Sequence, residues 1–424
     1  MNLPLRIGYE GAAQLARALA AVLPPSTHKL VQTFAARRGV RARFAAFSRA
    51  VGRPLLWMHA PSVGEGLQAR PVLELFRARA PRTQLAYTYF SPSATRFASA
   101  LDVDFRDVLP FDAAGDARTA LDALAPTALV FSKLDVWPTL AREASARGVR
   151  LGLVSATLAA GSSRSSGIAA ALLREAYARL DRVGAISAED AERLVTLGVH
   201  EASVRVTGDT RYDQVWVRAA TADRDTELLA PLRSDRLTLV AGSTWPADEG
   251  PLLEAWARLR ARFPEVRLII APHEPNHAHL APIERWCDTA GLRGARLGSA
   301  GAATADVVVI DRVGVLGDLY ALADMAYVGG GFHAAGLHSV LEPAAFGAPV
   351  LFGPRHATSR DASLLIGAGA AVRAVDASSL EMAIEQWIAD ADLRRSAGEA
   401  ARSVVRQGLG AAERSYELVA ELMD

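Results

Sequence analysis

From residue 55 onward, short apolar runs alternate with longer stretches whose apolar residues recur at helical spacing. The runs at 55–59, 84–90, 128–134, 151–155, 183–186 and 204–207 have the length of strands, and their near-continuous apolar character suits strands buried on both faces. Strand and helix in strict alternation predict βαβ units and hence a parallel sheet. A polar, charge-rich stretch at 215–236 interrupts the rhythm, which resumes at 237–242, 268–271, 307–310, 325–328 and 350–352. The pattern predicts an α/β chain with two doubly wound domains, 54–214 and 237–424, and a linker at 215–236. The closing segment, 393–423, reads as helical and is expected to pack back on the junction. Two such domains facing across a cleft would gather loops at the carboxyl ends of their strands, where open parallel sheets bind ligands.

Residues 1–53 follow a different pattern. Nine basic residues between Arg6 and Arg53 face one acid, Glu10, although the whole chain carries a net charge of only +1. The stretch 11–23 is helix-forming but interrupted by Gln14 and Arg17, well short of the ~20 apolar residues a spanning helix needs. It reads either as an arm lying on an anionic membrane surface or as the solvated basic face of a soluble domain. No charged leader with an A-x-A site marks a secretory signal. The near-neutral charge and absence of zinc-finger or RNA-motif spacing exclude nucleic acid as a partner. The single cysteine, Cys287, has no partner for a disulfide or a metal and reads as a buried apolar residue.

Candidate chemistry concentrates at two strand-to-helix corners. Trp57 to Glu65 carries a strand through a small-residue turn into a helix that opens with a carboxylate, and Tyr327 to Glu342 carries another through Gly329-Gly-Gly331. Ser62-x-x-Glu65 and Ser339-x-x-Glu342 also match the capping box of ordinary helices, so each acid reads as a cap or as a site residue. Further loops follow strands at Ser243 and Thr244 and at Pro272 and His273. Glycines at such places let backbone amides approach a phosphate. No G-x-G-x-x-G follows the first strand and no Walker sequence is present, which argues against dinucleotide and P-loop enzymes. His277 and His279 lack a carboxylate at zincin spacing, so no metal is expected.

Seven ordered blocks carry a resemblance: His59 to Glu65, Tyr87 to Pro92, Lys133 to Pro138, Thr207 to Asp213, Ala241 to Thr244, Ala271 to Pro275, and His338 to Pro343 leading to Pro349–Pro354. Over nearly its whole length the chain resembles the 3-deoxy-D-manno-octulosonic acid (Kdo) transferases of lipopolysaccharide biosynthesis. The resemblance implies a GT-B fold, two Rossmann-like domains facing across a cleft. It also implies a cofactor-free, inverting transfer of Kdo from CMP-Kdo to a lipid A precursor at the cytoplasmic face of a bacterial inner membrane. On that pattern Glu65 is the general base, and Lys133 and Arg211 stabilise the transition state. CMP falls to Ser243 and Thr244, to Pro272 and His273, to Val313, Gly314 and Val315, and to Ser339, Val340, Leu341 and Glu342, with Glu342 on the ribose. The chain departs from the common pattern at Lys133, Arg211, His273 and Ser339, where many members carry Glu, Lys, Arg and Asn, and at Val313-Gly-Val315, commonly Met-Gly-Glu. A sugar-nucleotide 2-epimerase of the same layout, or a non-catalytic nucleotide- or glycolipid-binding relative, are the rival readings.

Overall fold

The computed structural model describes residues 3–24, 26, 28–159, 161–162, 164 and 166–424. The chain divides into two compact units, Met1–Asp213 with Leu409–Asp424, and Gln214–Gly408.

The first unit is built on β1 (Leu55–His59), β2 (Gln84–Tyr89), β3 (Phe105–Val108), β4 (Ala128–Ser132), β5 (Arg150–Ala156), β6 (Arg182–Ala185) and β7 (Val204–Val206). Their order across the sheet is β3-β2-β1-β4-β5-β6-β7, all parallel. The chain leaves β1 toward β2, then returns to place β4 on the other side of β1, so β1 and β4 flank the switch point of a Rossmann-like sheet. β1, β2 and β4 are buried along their whole length, as continuous apolar strands covered on both faces must be.

The second unit contains β8 (Thr238–Thr244), β9 (Arg267–Pro272), β10 (Gly294–Arg296), β11 (Val307–Val309), β12 (Met325–Val328), β13 (Val350–Phe352) and β14 (Ala371–Arg373), in the order β10-β11-β9-β8-β12-β13-β14. These strands are parallel as well, with the switch point between β8 and β12. At the amino ends, carboxylates take the strand N–H groups that no neighbouring strand pairs. Asp104 accepts from Leu85 at 2.7 Å, Asp181 from Leu151 at 2.7 Å and Asp324 from Thr238 at 2.8 Å. Asp306, beside Arg236, Arg260 and Arg293, is the most heavily paired. Burial raises its pKa, but the three guanidiniums outweigh burial and bring it down to about 2.

Three boundaries differ from the sequence expectation. The helix Arg211–Thr221 runs into the 215–236 segment, and Leu229 and Leu232 of that segment are buried in the core of the second unit, so it is not a free linker. The last sixteen residues belong to the first unit rather than the second. Leu418, Val419 and Leu422 join its core, and Tyr416 packs on Phe76 with ring centres 4.8 Å apart. The basic segment, finally, is not an appendage. Its helix Val40–Ala45 puts Phe44, fully buried, against Phe105 and Trp57. Its helix Leu3–Val22 is tied down by Tyr9, whose hydroxyl donates to Asp112 at 2.8 Å, and by Arg17, 3.3 Å from Asp116. That helix still exposes Ile7, Leu15, Leu19 and Val22, which fall on one side at helical spacing. Among the described residues no helix is long and apolar enough to cross a membrane.

Because Phe44 is a core residue, Phe44→Ala should lower the free energy of unfolding by about 3–5 kcal/mol in a denaturant titration. A change within 0.5 kcal/mol, typical of exposed positions, would show that this segment is not part of the first unit's core.

Candidate active site

At the carboxyl end of β1 the chain turns at Ser62, whose extended backbone starts the helix Val63–Arg79. The Ser62 hydroxyl accepts from the Gly64 amide at 3.2 Å, a helix cap, and itself donates to the Glu65 carboxylate. Glu65 is not turned back on the Ser62 amide as a capping box requires. Its other oxygen receives the Lys133 ammonium at 3.2 Å. Lys133 follows β4 in the left-handed region, φ 67°, with its amide bonded to Val154 O at 2.8 Å. Ser132, the last residue of β4, donates to the backbone carbonyl of Glu65 at 3.1 Å. The pair therefore bridges the two strands of the switch point. Ser155 and Ser243 also adopt positive φ at carboxyl ends of strands. A non-glycine residue held there costs about 1–3 kcal/mol, and such strain gathers at functional sites.

Burial alone would raise the pKa of Glu65. The Ser62 hydroxyl and the Lys133 charge outweigh it and hold the carboxyl below its ordinary range, so Glu65 is ionised at neutral pH.

Beside this pair, His59 is fully buried at the end of β1. One ring nitrogen lies 3.0 Å from the Thr88 hydroxyl and the other 3.3 Å from Asp135, which also accepts from the Trp137 indole N–H at 3.0 Å. Trp137 stacks on Phe90 at 5.3 Å, and the Arg37 guanidinium lies 4.1 Å from the centre of the same Phe90 ring. Arg211, the third residue expected at the reacting centre, sits beyond β7, where Asp209 takes its guanidinium at 2.6 Å. Asp209 also accepts from Gln68 at 3.1 Å, one turn along the helix from Glu65. Burial pushes the Asp209 pKa up, but Arg211 dominates and lowers it.

In the second unit, Thr244 at the end of β8 donates to Glu249 at 2.9 Å, and the amide of His273, just past Pro272, donates to Thr244 O at 2.9 Å. These loops touch. Trp245 stacks on His333 at 4.4 Å and lies 4.6 Å from His273, while His273 stacks on His338 at 4.5 Å. Val313, 67% exposed, and Gly314, φ 90°, lead through Val315 into the short helix Leu316–Leu319. Ser339 is exposed and Val340 is buried just before the helix Leu341–Ala345. Glu342 in that helix is half-buried and accepts no hydrogen bond among the described residues. Burial raises its pKa, with Arg218 only partly opposing.

The glycine loop differs from expectation. The Gly330 and Phe332 amides donate to the buried Asp248 carboxylate at 2.8 and 3.0 Å, and the Gly329 amide to Gly242 O at 2.9 Å, so these amides serve the fold. Gly329 is required by packing, since a Cβ there would lie 2.2 Å from Ser243 O. Ser339 does not cap the following helix either: the cap position is Val340, and the helix has five residues, too short for a strong dipole. Sequence reasoning missed Asp248, whose acid-rich Trp-Pro-Ala-Asp-Glu context was the available signal, and the Gln68–Asp209 link, which left none.

The family model of 3-deoxy-D-manno-octulosonic-acid transferases (Kdo transferases) matches residues 38–214. A 3-deoxy-D-manno-octulosonic acid transferase of Bordetella pertussis is 33% identical over 393 residues, 89% of this chain and 90% of its own. The chain belongs to the Kdo transferase family. The Haemophilus influenzae transferase is 24% identical over 372 residues, 86% of either chain. Among solved structures, the UDP-GlcNAc 2-epimerase from Neisseria meningitidis bound to UDP-GlcNAc aligns with a TM-score of 0.64 at 14% identity, over 87% of this chain and 99% of that one. A glycosyltransferase from Rickettsia africae aligns with a TM-score of 0.60 at 11% identity, over 88% and 99%. At such identities the likeness shows the fold, GT-B with two Rossmann-like domains, and not the reaction. Membership of the family makes this chain a glycosyltransferase.

Lys133→Met removes the one cation that lowers the Glu65 pKa, keeping the Ser62 and backbone hydrogen bonds and leaving burial in place. The midpoint of Glu65 should therefore rise, as followed by the carboxyl carbon shift against a Glu65→Gln reference. An unmoved midpoint would mean that Lys133 does not control its ionisation.

Proposed function

We propose that this Kdo transferase family member moves Kdo from CMP-Kdo to a lipid A precursor in lipopolysaccharide biosynthesis, with inversion at the anomeric carbon and without a metal or cofactor. The observation that carries the reading is the ionised Glu65 carboxylate, 3.2 Å from Lys133 at the switch point of the first sheet. In the proposed step the acceptor oxygen bonds to the anomeric carbon, the bond from that carbon to the CMP phosphate breaks, and Glu65 takes the hydroxyl proton. Lys133 suits this sequence. An anionic donor, bearing the Kdo carboxylate and the phosphate, competes for the ammonium and so raises the proton affinity of Glu65 as it binds. Arg211 is assigned a second cationic contact.

CMP is assigned to the carboxyl edge of the second sheet. Ser243, Thr244, Pro272, His273, Val313, Gly314, Val315, Ser339, Val340 and Leu341 line its loops, and the Glu342 carboxylate, which accepts no hydrogen bond among the described residues, is suited to accept from ribose hydroxyls. The exposed face of Leu3–Val22, with Ile7, Leu15, Leu19 and Val22, supports an amphiphilic acceptor and peripheral docking at the cytoplasmic face of the inner membrane.

Incubating the purified protein with a tetraacylated lipid A precursor and CMP-Kdo should increase the lipid mass by one or more Kdo units. Glu65→Gln should slow this by ~10²- to 10⁴-fold, the usual contribution of a positioned base. No mass gain with the wild type would refute the donor and acceptor assignment, and full turnover by folded Glu65→Gln would refute the base.

A further inference from the structure

Between the helices Pro246–Arg262 and His277–Thr289 of the second unit lies a cavity of about 450 Å³, lined by Pro246, Glu249, Gly250, Leu253, Glu254, His279, Pro282, Ile283 and Trp286. Two helices of a close-packed domain ordinarily close such a space with side chains. Here the first helix carries a glycine at the position facing it. A Cβ added at Gly250 would meet nothing within 4 Å. Glycine in a helix costs about 1 kcal/mol relative to alanine, so helix stability alone disfavours the residue that keeps this cavity open.

The walls are mainly apolar, but their buried polar group is a carboxylate. Glu249 is only 5% exposed. One of its oxygens receives the Thr244 hydroxyl at 2.9 Å, and the other has no partner among the described residues. Burial pushes its pKa up, with Thr244 and His279 opposing and Asp248 adding to the rise. The charged neighbours are few. Asp248 is saturated by Trp245, Tyr327, Gly330 and Phe332. Glu254 at the rim pairs with the exposed Arg258. His279 bonds to Glu274 O through one ring nitrogen at 2.8 Å. A half-buried indole, Trp286, lines the wall formed by the second helix, across from the two glutamates on the first.

We propose that this cavity is a binding site for a small organic cation, a primary ammonium or guanidinium carried on an apolar body. The cation would bond the open oxygen of Glu249, a charge-assisted contact in a partly desolvated place, and the apolar body would lie among Leu253, Ile283 and Trp286. An anionic ligand, including either substrate proposed above, is disfavoured by both glutamates. Glu249 is joined to a CMP-assigned loop through the Thr244 hydroxyl, but the cation site does not rest on that assignment.

The test is calorimetric titration of the full-length protein with 2-phenylethylammonium and, separately, with its uncharged isostere 2-phenylethanol. The cation should bind saturably and at least about tenfold more tightly than the alcohol, the preference a charge-assisted hydrogen bond confers. Glu249→Gln should erase that preference. Gly250→Leu, which fills open space and favours the helix, should abolish binding of both while leaving the melting temperature unchanged or higher. Equal affinity for the two probes, absence of saturable binding to wild type, or undiminished binding by folded Gly250→Leu would each overturn the proposal.

Discussion

A carboxylate and an ammonium 3.2 Å apart, one following β1 and the other following β4, meet at the switch point of the first sheet. Their meeting is a consequence of topology. A parallel sheet that grows first to one side of its opening strand and then to the other must leave two adjacent strands whose loops diverge, and the residues just beyond those strands face open space. Glu65 and Lys133 occupy those two positions. Ser62 and Ser132 fix the backbone and one carboxylate oxygen of Glu65, so only the Lys133 contact is free to be exchanged for an incoming anion.

The two edges of each sheet divide the labour. At the amino edges, Asp104, Asp181, Asp306 and Asp324 are consumed by strand amides and arginines, and such saturated charges stabilise the fold without offering reactivity. At the carboxyl edges, Glu342 and one oxygen of Glu249 accept no hydrogen bond among the described residues, and their pKa values are raised by burial. A buried carboxylate that lacks a partner costs stability, and ligand contact is what offsets that cost at a binding site.

The central strands of both sheets were legible because burial on both faces makes a strand a continuous apolar run. β3, β10 and β14 were not. Each lies at the edge of its sheet, is short and not buried along its length, and carries a charge, Arg106, Arg296 or Arg373, as edges do. Glu65 could be singled out by its place after β1, but whether it capped the helix or faced a partner depended on Lys133, 68 residues away, and no local pattern encodes that contact. The glycine loop misled for a related reason. Three glycines suggest amides free for phosphate, whereas the Gly330 and Phe332 amides are taken by Asp248, 82 and 84 residues distant. The last helix, grouped with the second domain but expected to pack back on the junction, joins the core of the first unit; its apolar face says that it is covered but not by what.

If Lys133 acts by controlling Glu65, the two residues must be energetically coupled in the reaction. The most direct test is a double-mutant cycle on kcat/KM with Glu65→Gln, Lys133→Met and the pair. The Glu65→Gln background should shrink the cost of the Lys133 substitution to what its contact with the donor contributes, so that the double variant is faster than the product of the two single losses. Losses that simply multiply would show that the two side chains act independently, and would contradict the ion pair as the organising element of the site.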